Sequence, residues 1–185
     1  MQLSAKSTAL VLIDLQKGIL AMKTAPYAAA DIYARSMKLA QRFRATGSPV
    51  VRVRVGFSAD RADALKQPVD QPTNYAAIPA GWDEFPEPPE ATDMIVTKRQ
   101  WGAFYGTELD LQLRRRGVKC IVLGGISTNI GVESTARNAF ELGYELVIPE
   151  DLCACGATAE VHEFAFKNIF PRISRITTSE SIELG

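Results

Sequence analysis

The feature that most constrains this chain is an alternation. Short apolar and β-branched runs, beginning with Ala9-Leu10-Val11-Leu12-Ile13 and Val50-Val51, are separated by longer segments of helical periodicity. That pattern marks repeated β–α–β units feeding a parallel sheet. Strands are expected near 8–14, 49–55, 94–98, 119–124, 144–149 and 173–177. Between them, Ile32, Leu39, Ala40 and Phe43 share one face of a helix near 31–46, which Gly47 stops ahead of Pro49. Thr107 and Asp110 approximate a capping box, with Asp where Glu or Gln is usual, and open a helix over 108–116 that ends at Gly117. Arg114, Arg115 and Arg116 in its last turn complement the helix dipole and read as a solvated helix end. Another helix starts near Asn129 and stops before Gly143, and a fourth spans about 158–168. The expected fold is α/β: a three-layer, doubly wound, Rossmann-like sheet of six mainly parallel strands with helices on both faces, in a single domain over 1–185.

Composition narrows the partners. The 21 basic and 21 acidic side chains cancel, which removes the electrostatic footprint of a nucleic-acid binder or a polybasic membrane-surface protein. A small-molecule substrate and copies of the chain itself, as a homo-oligomer, are the expected partners. No apolar stretch approaches the ~20 residues that span a bilayer, and Met1-Gln2-Leu3-Ser4 lacks the basic start and apolar core of a signal peptide. A cytoplasmic location is the expectation. Cys120, Cys153 and Cys155 make an odd set with no disulfide pattern, and are expected to be free thiols in a reducing compartment.

One stretch breaks the alternation. From Gln67 to Thr92, Pro68, Pro72, Pro79, Pro86, Pro88 and Pro89 forbid a continuous helix or central strand. Tyr75, Trp82 and Phe85 argue against disorder. The segment is expected to pack over the mouth of a site or into an interface.

In a doubly wound sheet, ligands bind beyond the carboxyl ends of the strands. Asp14, Lys98 and the segment Gly124–Gly131 each sit at such an end, so the fold would gather residues far apart in sequence. Asp14 could act as general acid or base. Lys98 nearby would hold it ionised, whereas burial would push its pKa up, and sequence leaves that contest open. Arg54, at the exit of the second strand, and Arg99, beside Lys98, are candidate anchors for a substrate carboxylate or ordinary ion-pair residues. Trp101, Phe104 and Tyr105 are candidates for the pocket wall or for packing. The single histidine, His162, falls among Val161, Ala165, Phe166 and Ile169 and reads as structural. One histidine cannot build a His-rich zinc centre, so no metal and no cofactor are expected. Cys120 starts its strand at the wrong end of the sheet, while Cys153 and Cys155 follow the fifth strand, one strand removed from the turn.

The segment Gly124-Gly125-Ile126-Ser127-Thr128-Asn129-Ile130-Gly131-Val132-Glu133-Ser134-Thr135-Ala136-Arg137, with Asp14-Leu15-Gln16 and Lys98, closely resembles the active-site motifs of the isochorismatase-like hydrolases. The resemblance extends from Thr8 to about Thr177. It implies that Asp14 is the catalytic acid/base and Lys98 its partner, while Gly131 stands where many members carry a nucleophilic cysteine. It implies further that Gln16 positions a polar substrate group or satisfies its own loop, and that Ile126, Ser127 and Ile130 join Arg54 in the substrate site. The Ile126–Ser127 bond is expected to be cis, turning backbone N–H groups toward a developing oxyanion. Ser127 or Thr128 could pair with Lys98 as a nucleophile, or simply cap the helix.

True isochorismatases, similar to this chain in having glycine at the cysteine position, hydrolyse a vinyl ether with no covalent intermediate. The implied function is therefore a metal-independent, thiol-free hydrolase of a small polar or anionic metabolite, with Asp14 donating a proton. The turn is a hybrid, since Thr128-Asn129 replaces a small residue and a histidine of the isochorismatases, and Val132–Arg137 reads like the cysteine branch. The alternative is a catalytically silent small-molecule-binding protein on the same scaffold, which would have less need of a paired Asp14 and Lys98.

Overall fold

The computed structural model describes residues 1–156 and 158–185. Six strands form the body of the sheet: β1 (Thr8–Ile13), β2 (Val50–Val55), β3 (Met94–Lys98), β4 (Cys120–Ile126), β5 (Glu145–Pro149) and β6 (Arg175–Thr177). They lie in the order β3-β2-β1-β4-β5-β6, and every neighbouring pair is parallel. β1 and β4 are buried along their whole length because both faces are covered, which is why they read as unbroken apolar runs.

Side chains of β1 divide between two cores. Ala9, Val11 and Ile13 pack with Leu109 and Leu113 of α2 (Leu109–Arg115), Ala136 and Ala139 of α3 (Glu133–Glu141), and Ala165, Phe166 and Phe170, which follow α4 (Ala159–Phe164). Leu10 and Leu12 face the other way, onto Ile32, Leu39, Ala40 and Phe43 of α1 (Ala29–Ala45). The period of two in the strand thus meets the helical period on each side, giving the expected three layers. Among the described residues no helix is long and apolar enough to cross a membrane.

Three details differ from expectation. A short strand, Cys153–Ala154, pairs in parallel with Gly125–Ile126 of β4. The β5 register runs only from Cys120↔Glu145 to Val122↔Val147, so the outer half of β4 needs another partner for its backbone groups. Residues at the two chain ends, Gln2–Leu3 and Glu183–Leu184, form a separate parallel pair. Both features are too short to show a period in sequence. The capping box at α2 is half formed: the Thr107 hydroxyl accepts from the Leu109 N–H at 3.2 Å, but Asp110 turns away to accept from the Tyr144 hydroxyl at 2.7 Å.

The Pro-rich segment carries one 3₁₀ turn, Tyr75–Ala77, and lies over the exits of β1 and β2. The N–H groups of Lys17 and Gly18 donate to the carbonyls of Glu84 and Trp82 at 2.8 and 2.9 Å. The buried Arg52 guanidinium stacks 4.1 Å from the centre of the Phe85 ring. The segment is therefore a packed cover, anchored on the loop that carries Asp14.

Candidate active site

Strand order changes direction between β1 and β4, and this switch point is where a doubly wound sheet opens a crevice. Asp14 leaves β1 in a left-handed conformation, φ 55°, which turns its side chain out of the strand path at that crevice. From the other side comes the turn after β4, where the Ile126–Ser127 peptide bond is cis, as the resemblance implied. Gly125 lets the two strands approach: a Cβ there would meet the Ile13 carbonyl oxygen at 2.1 Å. Beyond the cis bond, Thr128–Val132 forms a wide helical turn that runs into α3. The Thr135 hydroxyl pins it by donating to the Gly131 carbonyl at 2.7 Å.

Lys98, at the end of β3, donates to Asp14 Oδ2 at 2.8 Å and to the Gln100 carbonyl at 3.1 Å. Both partners are buried, with only 7% of the Asp14 side chain and 2% of the Lys98 side chain exposed. Burial wins the contest that sequence left open, pushing the Asp14 carboxyl up to about 6 against the pull of the Lys98 ammonium. Asp14 Oδ1 is buried and has no hydrogen-bond partner among the described residues. Near neutrality this carboxyl can therefore carry or accept a proton.

Gly131 completes the centre. A Cβ built on it would lie 3.1 Å from Asp14 Oδ2 and 2.9 Å from Ile13 Cγ2. Any side chain at this position would stand directly beside the carboxyl. Asp14, Lys98 and Gly131 open into a cavity of about 310 Å³ together with Ile126, Ser127 and Ile130. Its walls are mainly apolar and aromatic, with Phe57, Tyr75, Trp82 and Trp101 prominent. Tyr75 and Trp82 come from the Pro-rich cover, and Phe57 from the loop after β2.

Other sequence expectations need correction. Gln16 does not line the cavity: its amide accepts from the Val55 N–H at 2.9 Å and donates to the Val55 carbonyl at 3.0 Å, clamping the exit of β2. Arg54 is also outside, donating to the Thr97 hydroxyl at 3.1 Å and pairing with Asp83 of the cover at 4.0 Å. The alternation of side chains along β2 turns it to the face where the cover docks. Arg99 does line the cavity. Of the three aromatics after Lys98, Trp101 is at the wall, Phe104 is in the core against Tyr144, and Tyr105 is exposed. The Ile130 N–H is engaged by the Ser127 carbonyl at 3.1 Å, so Ile130 contributes wall rather than a free donor.

No serine–lysine pair assembles either, because Ser127 Oγ donates to Asn129 Oδ1 at 3.0 Å and the Thr128 hydroxyl is bonded to His162 Nδ1 at 2.9 Å. His162 is buried, with its ring 4.6 Å from that of Phe166, and acts as the structural residue expected. All three thiols are free and buried, and none lines the cavity. Cys153 lies beside Gly125 rather than a strand away, yet burial pushes its pKa far above the ordinary thiol value. Among the described residues, no group of three or more His, Cys, Asp or Glu side chains is placed to share a metal ion. What sequence missed was the wall: Ile19, Met22, Phe57 and Ile78 carry no motif, and their one signal was a place in loops at the carboxyl edge.

Comparison with known proteins points the same way. The isochorismatase domain pattern matches residues 8–181. The chain is 56% identical to an uncharacterised isochorismatase family protein, YecD, of Escherichia coli O157:H7, over 98% of this chain and 97% of that protein. It is 29% identical to the ureidoacrylate amidohydrolase RutB of Acinetobacter baylyi, over 91% of this chain and 79% of that enzyme. Among solved structures, an isochorismatase family protein from Burkholderia thailandensis has a TM-score of 0.92 at 41% identity, covering 98% of this chain and 95% of that one. The N-carbamoylsarcosine amidase of Thermoplasma acidophilum has a TM-score of 0.75 at 26% identity, covering 96% and 99%. With the switch-point cavity, the Asp14–Lys98 pair and the turn at Gly131 in place, the chain belongs to the isochorismatase family and is a hydrolase of that family.

Proposed function

We propose that this protein hydrolyses a vinyl ether in a small molecule, with Asp14 as general acid and with no thiol or metal step. The observation that carries the reading is the approach of Gly131 to Asp14, since a Cβ would come within 3.1 Å of the carboxyl oxygen. Glycine leaves the space beside that oxygen to the substrate. The Asp14 proton passes to the terminal carbon of the enol ether, and the oxocarbenium ion that results is captured by water. Water's proton returns to the carboxylate, and the hemiketal collapses to a keto acid and an alcohol. Lys98 holds the carboxyl in place and stabilises its anion once the proton has left.

Such an acid must be protonated in the reacting complex. With the free-enzyme carboxyl near 6, kcat/KM for an enol-pyruvyl ether is expected to fall tenfold per pH unit above that value. Pyruvate release across a pH series checks it. Cleavage of an amide or ureido compound instead, with a rate that climbs through pH 6, would make Asp14 a base and overturn the vinyl-ether reading. Release of neither product by any of these compounds would favour the binding-protein alternative.

The reading includes self-association. Leu111, Phe140 and Phe164 are exposed large apolar side chains on α2, α3 and α4, outside the cavity. Sedimentation velocity is expected to give an assembly larger than a monomer.

A further inference from the structure

The mechanism uses Asp14 and Lys98, and leaves unexplained a second cation at the same cavity. Arg99 lines the cavity, yet its Nη1 is buried without a hydrogen-bond partner. The guanidinium is not adrift, because its Nε donates to Asp63 Oδ2. Asp63 is itself fixed by the Ser58 N–H at 2.8 Å and the Ser58 hydroxyl at 2.9 Å. The Ser58 N–H and hydroxyl, with Arg99, hold the Asp63 carboxyl down at about 2, so it stays charged. A buried, unpartnered guanidinium nitrogen is costly unless something satisfies it. An arginine braced on one side and open on the other is a ready anion receptor.

The charges also fix how much anion fits. With Asp14 protonated, the charged side chains lining the cavity among the described residues are Lys98 and Arg99, and Arg99 is already paired with Asp63. A single positive charge is left to match. A second ligand carboxylate would meet no further cation in the wall, since Arg54 is turned away toward Asp83. The remaining wall, from Val55, Phe57, Ile78, Trp82, Trp101 and Ile130, offers surface for an uncharged ring-sized body.

We propose that Arg99 is the anion anchor of this cavity, and that the substrates are monocarboxylates with an uncharged apolar body, such as the enol-pyruvyl ether of a neutral cyclic alcohol. The charge argument rests on the protonated-Asp14 reading above, whereas the role of Arg99 in binding can be measured without turnover.

The only two tryptophans of the chain, Trp82 and Trp101, both line the cavity and report its occupancy by fluorescence. At pH 5, 3-phenylpropionate and its amide 3-phenylpropionamide would be titrated into wild type, Arg99→Met, Arg99→Gln and Asp14→Asn, and at pH 7.5, where phenylsuccinate is a dianion, 3-phenylpropionate and phenylsuccinate would be compared on Asp14→Asn, in which residue 14 stays neutral. The carboxylate is expected to bind wild type and Asp14→Asn at least tenfold more tightly than the amide at pH 5, and to bind Asp14→Asn more tightly than phenylsuccinate at pH 7.5. Arg99→Met and Arg99→Gln are expected to erase that preference and leave amide binding unchanged, which also shows the cavity intact. Equal binding of acid and amide by wild type, or a preference that survives both Arg99 variants, would overturn the anchor. Tighter binding of phenylsuccinate would overturn the single-charge class. Because Asp14→Asn binds without turning over, failure of the vinyl-ether chemistry leaves these outcomes readable.

Discussion

At the residue scale, Asp14 and Gly131 depend on each other. Gly131→Ala places a methyl group 3.1 Å from the carboxyl oxygen and 2.9 Å from Ile13 Cγ2, so Ile13 must shift. Overpacking of this kind costs ~1–3 kcal/mol. Activity is expected to fall at least tenfold, because the methyl occupies the space of the reacting atom. A fully active, folded Gly131→Ala variant, by initial rates and circular dichroism, would place the reaction elsewhere. Asp14→Asn is expected to lower kcat ~10²–10⁴-fold.

Stability gives a second handle on Asp14. Its carboxyl lies near 6 in the fold against an ordinary value of 3.8. Between those values the folded state binds the extra proton, so stability is full below the lower one and is lost as pH rises through the upper. Relative to wild type, the Tm of Asp14→Asn should therefore rise between pH 4 and 6 and level off above. A difference that is flat across this window would mean that Asp14 titrates normally.

At the element scale, the turn that carries Gly131 is held from behind by α4. Thr128 and His162 are both fully buried and bonded at 2.9 Å. His162→Leu strands the Thr128 hydroxyl at a cost of ~1–3 kcal/mol, while Asn, whose amide can stand near the Nδ1 position, should recover part of that in urea denaturation. The cover depends on one close approach. The Trp82 ring lies on Gly18, where a Cβ would come 1.7 Å from ring carbon Cδ1. Gly18→Ala should lift Trp82 off the loop, raise KM and speed protease cleavage within 67–92. An unchanged KM and cleavage rate would mean that the cover takes no part in binding.

At the scale of the whole molecule, the sheet is covered on both faces, and the cavity opens at its carboxyl edge. The thiols are buried, and none lines the cavity at that edge. Iodoacetamide under native conditions is therefore expected to leave activity intact, with intact-mass spectra showing no adduct. Alkylation and inactivation at matching rates would return a thiol to the mechanism.

The sequence by itself determined the layers, the strand positions and the meeting of Asp14, Lys98 and Gly131 at one edge of the sheet. Runs such as Leu10–Ile13 report burial through local periodicity, and parallel strands bring their carboxyl ends to one edge of the sheet. Only the tertiary structure decided that burial outweighs Lys98 at Asp14, since desolvation depends on atoms from the whole chain. It also sorted the arginines: Arg54 and Arg99 are alike as residues at strand ends, yet one faces Asp83 and the other the cavity. Side-chain direction after a strand is set by what packs around it, and so is the wall that Phe57, Tyr75 and Trp82 build from loops with no period to read.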